Sequence, residues 1–131
     1  MNLPSNPAAH LRPLIYVVDD EAMLLELAEM ALSGGGYAVK KFQCPETAYE
    51  SFAAEPSKPS LLLTDYAMGS MNGLELSAKC KGACPELKIL MVSGTAGPEV
   101  IRGAPIKVDR FLAKPYLPAE LAETVRALLA R

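Results

Sequence analysis

Asp19, Asp20, Asp65, Ser93 and Lys114 are residue types suited to phosphate or metal chemistry, and each follows an apolar run. Leu14-Ile15-Tyr16-Val17-Val18 leads into Asp19-Asp20, and Leu61-Leu62-Leu63-Thr64 into Asp65. Ile89-Leu90-Met91-Val92 leads into Ser93, and Phe111-Leu112-Ala113 into Lys114-Pro115. Gathered at one edge, the carboxylates would repel by about 4 kcal/mol per pair, for a separation of about 4 Å and an effective dielectric of about 20. A divalent cation among them, or a proton on one of them, makes such a cluster tolerable. Oxygen ligands that leave room for water point to Mg²⁺, with Mn²⁺ as a substitute. Lys114 supplies an opposing positive charge, and Ser93 a hydroxyl able to donate to an oxyanion.

This set suits a carboxylate that accepts a phosphoryl group. Phosphoryl transfer needs in-line positioning and charge neutralisation more than acid–base chemistry. Asp65 stands alone after its run and is the expected nucleophile. Asp20, with Asp19 behind it, is expected to hold the metal, and Lys114 and Ser93 to meet phosphoryl oxygens. Taken singly, each residue has a plainer reading. An aspartate after a strand is commonly a helix cap or turn former, Ser93-Gly94-Thr95 a turn, and Lys114 a solvated charge.

The elements that must bring these residues together are legible too. Short continuous apolar runs bounded by turn residues read as strands buried on both faces, as in a parallel sheet covered by helices. In such sheets ligands bind beyond the carboxyl ends of the strands. Between the runs, Glu21–Leu32 is free of Gly and Pro and reads as a helix stopped by Gly34-Gly35-Gly36. Tyr37–Phe42 reads as a more polar edge strand, and Pro45 opens a helix running to about Ala54. A helix is expected over Gly73 to about Lys81, and Pro118 opens the last one, with Leu121, Val125, Leu128 and Leu129 on one face. Gly94–Arg110 is the least regular stretch: Pro98 can open a helix, but Gly103 and Pro105 close it. The expected architecture is a flavodoxin-like, doubly wound (βα)5 α/β fold, with a parallel five-stranded sheet in the order 2-1-3-4-5.

Composition sets the bounds. The chain has 131 residues, a formal net charge of −2, three cysteines and one histidine, consistent with one domain. The charge argues against nonspecific nucleic-acid binding, and no apolar run is long enough to span a bilayer. Residues 1–13 are proline-rich and polar, lack the apolar stretch of a signal peptide, and read as a disordered lead-in to a domain over 14–131. His10 falls in that lead-in and reads as incidental. Cys80 and Cys84 are four apart but no zinc set completes them, so reduced thiols and a cytoplasmic location are expected. On the first helix, Leu24, Leu27, Ala28 and Ala31 are expected to form the core stripe. Met23, Leu25, Met30 and Leu32 would lie off it, which implies further burial, in a packed dimer or under a folded-over tail, or a partner surface.

Val-Val-Asp19-Asp20-Glu21, Leu-Leu-Thr-Asp65-Tyr-Ala-Met68, Met71-Asn72-Gly73, Val-Ser93-Gly94 and Phe111-Leu-Ala-Lys114-Pro115, in this order and spacing, resemble the response-regulator receiver domain of two-component signalling. The resemblance covers roughly Leu14–Arg131. It implies that Asp65 is the phosphoacceptor, with Asp19, Asp20, Asp65 and the Ala67 carbonyl binding Mg²⁺. It also implies that Ser93 is the switch hydroxyl, Phe111 the switch aromatic, Lys114 the phosphoryl-binding lysine, and Lys114-Pro115 a cis peptide. The implied role is a signalling domain that assists its own phosphorylation and dephosphorylation, not an enzyme. Its donor would be a histidine kinase or histidine phosphotransfer protein docking on the first helix at Met23 and Met30, with an unidentified downstream protein as target. The chain departs from the family's usual pattern in Met68-Gly69-Ser70 for Met-Pro, in apolar Ala67, in Phe111 for tyrosine, and in the broken segment after the fourth strand. A pseudo-receiver, docking proteins without phosphorylation, is the alternative. A flavin site would be repelled by Asp19-Asp20-Glu21, and an aspartyl-phosphate hydrolase would need an acid where Ala67 stands.

Overall fold

The computed structural model describes residues 12–130, so the expectations for residues 1–11, including His10, lie outside it. The strands are β1 (Leu14–Val18), β2 (Ala38–Phe42), β3 (Leu61–Asp65), β4 (Lys88–Ser93) and β5 (Arg110–Ala113). The helices are α1 (Ala22–Leu32), α2 (Pro45–Ala54), α3 (Gly73–Ala83) and α4 (Pro118–Leu129). All strand pairs are parallel, in the order β2-β1-β3-β4-β5, so the fold is flavodoxin-like as expected.

Strand alternation builds a core on each face of the sheet. Ile15, Val17, Leu61, Leu63, Leu90, Val92 and Leu112 pack with Leu25, Ala28 and Leu32 of α1 and Leu121, Val125 and Leu128 of α4. On the other face Tyr16, Val18, Leu62, Ile89 and Met91 pack with Ala48 and Phe52 of α2 and Leu76 and Cys80 of α3. The central β3 is buried along its whole length, whereas β2 and β5 at the edges are not.

Local signals account for the helix ends. Asn72 caps α3 by accepting from Glu75 N, and Glu75 returns the bond to Asn72 N, a capping box. Pro45 and Pro118 occupy first-turn positions, where a missing N–H costs nothing. The Lys58 ammonium closes α2 on the carbonyls of Phe52 and Glu55.

Two expectations need correction. The core stripe of α1 is Leu25, Ala28 and Leu32, not the set containing Leu27, which is 48% exposed. Residues 25 and 27 lie about 200° apart around a helix. With apolar residues nearly all round, sequence periodicity could not fix the phase. Leu24 and Ala31 are half-buried beside the true stripe. The helical segment expected after β4 is a single 3-10 turn, Pro98–Ile101, with no buried residue, so among the described residues four α-helices flank the sheet. Without a buried face, the turn gains nothing from packing that would extend it. No described helix is long and apolar enough to cross a membrane.

Candidate functional site

The carboxyl end of the sheet holds the chemistry. Asp19 directly follows β1, Asp65 ends β3, Ser93 ends β4 and Lys114 directly follows β5. By alternation, Asp65 shares a face with Leu61 and Leu63, Asp19 with Val17, and Lys114 with Leu112, all on the α1/α4 side. They meet there. Lys114 Nζ donates to Asp19 Oδ2 at 2.7 Å and lies 3.4 Å from Asp65 Oδ1. Asp19 Oδ1 accepts from the Glu21 amide at 3.0 Å, so one carboxylate both turns the chain into α1 and holds the lysine.

Burial of Asp19 and Asp65, at 4% and 6% exposed, makes this pairing matter. Desolvation raises the Asp65 pKa above the ordinary aspartate value, helped by the charges of Asp19 and Asp20 and opposed by Lys114. Burial pulls the Lys114 ammonium down, but the hydrogen bond to Asp19 and the charges of Asp19 and Asp65 outweigh it, leaving its pKa raised. Lys114 is therefore firmly charged, and Asp65 is the site's uncomfortable anion.

Asp20, Glu21, Asp65, Ala67, Gly94, Thr95 and Lys114 line one cleft of about 280 Å³. Asp19 stands behind it, exposed Asp20 at its mouth. A carboxylate oxygen of each of Asp19, Asp20 and Glu21 falls within 4.8 Å of the others, so the donor set is hard oxygen and suits Mg²⁺. Glu21 was not among the ligands expected from sequence. The run of three adjacent acids was its signal, obscured because Glu21 also reads as a helix opener.

Ser93 and Phe111 do not line the cleft. Met91 pairs with Phe111 and Ser93 with Ala113, so alternation places both residues on the α2/α3 face. The Ser93 hydroxyl accepts from the Thr95 and Ala96 amides at 3.2 and 2.9 Å and is turned into its own loop. Half-buried Phe111 packs on the cluster containing Met91. The Lys114–Pro115 peptide is cis.

The floor of the loop after β3 is tight. A Cβ on Gly73 would meet the Asp65 carbonyl oxygen at 2.4 Å and Met91 Sδ at 2.8 Å, so only glycine lets α3 start against the backbone of Asp65. Gly69 has φ +71, a conformation other residues rarely adopt. Sequence reading placed no function on Cys44, Glu46 or Ser70. In the fold Ser70 donates to Glu46 and so does the Cys44 thiol.

Comparison with known proteins agrees with this geometry. Residues 15–126 match the family described as response regulator receiver domain. The chain is 31% identical over 116 residues to the response regulator receiver protein CpdR of Brucella abortus, covering 88% of this chain and 95% of that protein. It is 30% identical over 120 residues to the phosphate regulon transcriptional regulatory protein PhoB of Pseudomonas aeruginosa, covering 89% of this chain and 52% of PhoB. It thus spans about half the length of that regulator and nearly all of CpdR. Among solved structures, a CheY-like receiver domain protein of Methanospirillum hungatei superposes with a TM-score of 0.82 at 27% identity, over 91% of this chain and 94% of that one. The chain belongs to the response regulator receiver domain family of two-component signalling.

Proposed function

We propose that this chain takes a phosphoryl group from the phosphohistidine of a histidine kinase or histidine phosphotransfer protein onto Asp65. One observation carries the reading: Asp65 opens into the same cleft as Asp20, Glu21, Ala67 and Lys114, with Lys114 Nζ 3.4 Å from its Oδ1. In the transfer a P–O bond forms to Asp65 as the P–N bond to the donor imidazole breaks. The bonding pair returns to that nitrogen. The product acyl phosphate is lost to water, which regenerates the carboxylate and releases inorganic phosphate, so the mark is reversible.

Each residue has a part that follows from its environment. Asp65 attacks in its ionised form, which burial and the neighbouring acids disfavour and Lys114 favours. Lys114, held by Asp19, offers its ammonium to a phosphoryl oxygen. Asp19, Asp20, Asp65 and the Ala67 carbonyl form the oxygen set for Mg²⁺, or Mn²⁺ in its place, with Glu21 at the rim. The cation would supply charge that neutralises nucleophile and phosphoryl oxygens together.

Signalling is then a shift between conformations. The Ser93 hydroxyl leaves the amides of Thr95 and Ala96 to donate to a phosphoryl oxygen, and Phe111, on the same sheet face, takes up the space vacated. NMR with Mg²⁺ and beryllofluoride checks this. Amide shifts are expected across residues 94–111, and an unchanged spectrum there contradicts the switch.

The donor docks on α1. Met23 and Met30 are 72% and 68% exposed, and an apolar cleft lined by Leu24, Leu27, Ala31, Tyr116 and Pro118 lies alongside. Met23→Glu and Met30→Glu should slow phosphotransfer from a cognate histidine donor about tenfold, the order of one buried apolar contact, while leaving labelling by acetyl phosphate unchanged. Equal transfer rates in variant and parent contradict this surface.

A further inference from the structure

The loop leaving Asp65 is anchored at both ends and at Met68, with exposed residues on either side of that middle anchor. Tyr66 N donates to the Val92 carbonyl at 2.8 Å, and Gly73 N to the Tyr66 carbonyl at 2.8 Å. Met68 is buried, its sulfur 3.9 Å from Thr64 Oγ1. Ala67, Gly69 and Ser70 are exposed, and glycine at position 69 leaves the backbone φ unrestricted where a proline would fix it.

A side-chain chain of bonds crosses from α2 to this stretch. Ser70 Oγ donates to Glu46 Oε2 at 2.5 Å, and Cys44 Sγ donates to Glu46 Oε1 at 2.9 Å. Cys44 is the N-cap of α2 and Glu46 lies in its first turn, where the helix dipole favours an acid. The thiol first, and the Ser70 hydroxyl second, hold the Glu46 carboxyl below its ordinary pKa. Glu46 thus remains an ionised acceptor fixed to a helix end. Among the described residues its bond with Ser70 joins that of Thr64 to Met68 as the side-chain hydrogen bonds from other elements to residues 66–71.

We propose that Glu46, braced by Cys44, is a positioning residue that latches the loop after Asp65 through Ser70 and so fixes the Ala67 carbonyl for cation binding. The proposal rests on reading the cleft as a Mg²⁺-dependent acceptor site. Without the latch, Gly69 lets the exposed stretch sample more conformations. The Ala67 carbonyl is then presented less often, although no acid of the site has changed.

The test uses the full chain with Mg²⁺ alone as the probe, in Ser70→Ala, Glu46→Ala, the double variant and Ser70→Thr. Mg²⁺ affinity is read from amide-shift titration, and global stability from the thermal midpoint. Each single variant should weaken Mg²⁺ binding about three- to tenfold, below the ten- to about hundredfold usual for outer partners of metal ligands, because Ser70 is exposed and Glu46 only half-buried. The double variant should be no worse than either single one, as for residues acting through one bond. Ser70→Thr, which keeps the hydroxyl, should restore the parent affinity. The thermal midpoint should hold in the Ser70 variants and fall by no more than about 5 °C in Glu46→Ala, which loses an acid from the first turn of α2. Unchanged affinity in the single variants, or losses that add in the double one, overturns the latch. So does a loss that merely follows a lowered midpoint. If the parent chain itself binds no Mg²⁺, the acceptor reading falls and the latch with it. If the parent binds and the variants match it, the latch alone falls.

Discussion

The segments that follow β3 and β4 leave the same edge of the sheet and are built in opposite ways. After β3 the chain buries Met68, closes a backbone bond between Gly73 and Tyr66, and enters a helix through a complete capping box. After β4 it makes one 3-10 turn with no buried residue. That segment is tied near its start by the Ser93 hydroxyl and at its far end by Asp109, which exchanges hydrogen bonds with Ile89. Few buried apolar contacts mean low local stability. The contrast separates two requirements. The atoms proposed to react sit on backbone fixed by packing, while the segment proposed to carry the message is held by its ends and can change shape between them.

The largest expected effect breaks the rigid side. Gly73→Ala drives a methyl into the Asp65 carbonyl oxygen and Met91 Sδ, and overpacking of this kind costs about 2 kcal/mol. Urea denaturation should show that loss, together with weaker phosphoryl labelling, because the clash falls on the acceptor's own backbone. Gly103→Ala is the matched change after β4. Nothing lies within 4 Å of its Cβ, but φ is +75, so only backbone strain of about 1 kcal/mol is expected, with labelling retained. Equal costs, or lost labelling in the second variant, would erase the contrast.

The smallest effect is electrostatic. Because the Asp65 pKa is raised above its ordinary 3.8 in the fold, the folded chain holds its proton to higher pH than the unfolded one. The contribution of Asp65 to stability is therefore full below about 3.8, the unfolded value, and falls as pH rises toward the raised folded value. In metal-free buffer Asp65→Asn should flatten that acid-side slope in denaturation curves collected against pH. An identical slope in the variant contradicts the strained carboxylate.

Sequence patterning made the sheet legible because buried parallel strands are continuous apolar runs, and each candidate residue follows one. Asp19, Asp65 and Lys114 meet because strand alternation at the sheet's end is regular enough to read directly. The phase of α1 was not legible, since Leu24, Leu25, Leu27 and Leu32 offer competing stripes and only docking on the sheet chooses between them. Nor was the Cys44–Glu46–Ser70 set, which joins the start of α2 to the loop after β3 and depends on tertiary placement. The turn after β4 was legible only as irregularity, because a segment without a buried face has no period to read.

Labelling of Asp65 tests the account most directly. The intact chain, incubated with acetyl phosphate and Mg²⁺, should gain about 80 Da, the mass of one phosphoryl group on a carboxylate. The gain should vanish with a chelator and in Asp65→Asn. A folded chain that gains no mass, or Asp65→Asn that gains it as readily as the parent, would contradict the acceptor and leave a docking module in its place.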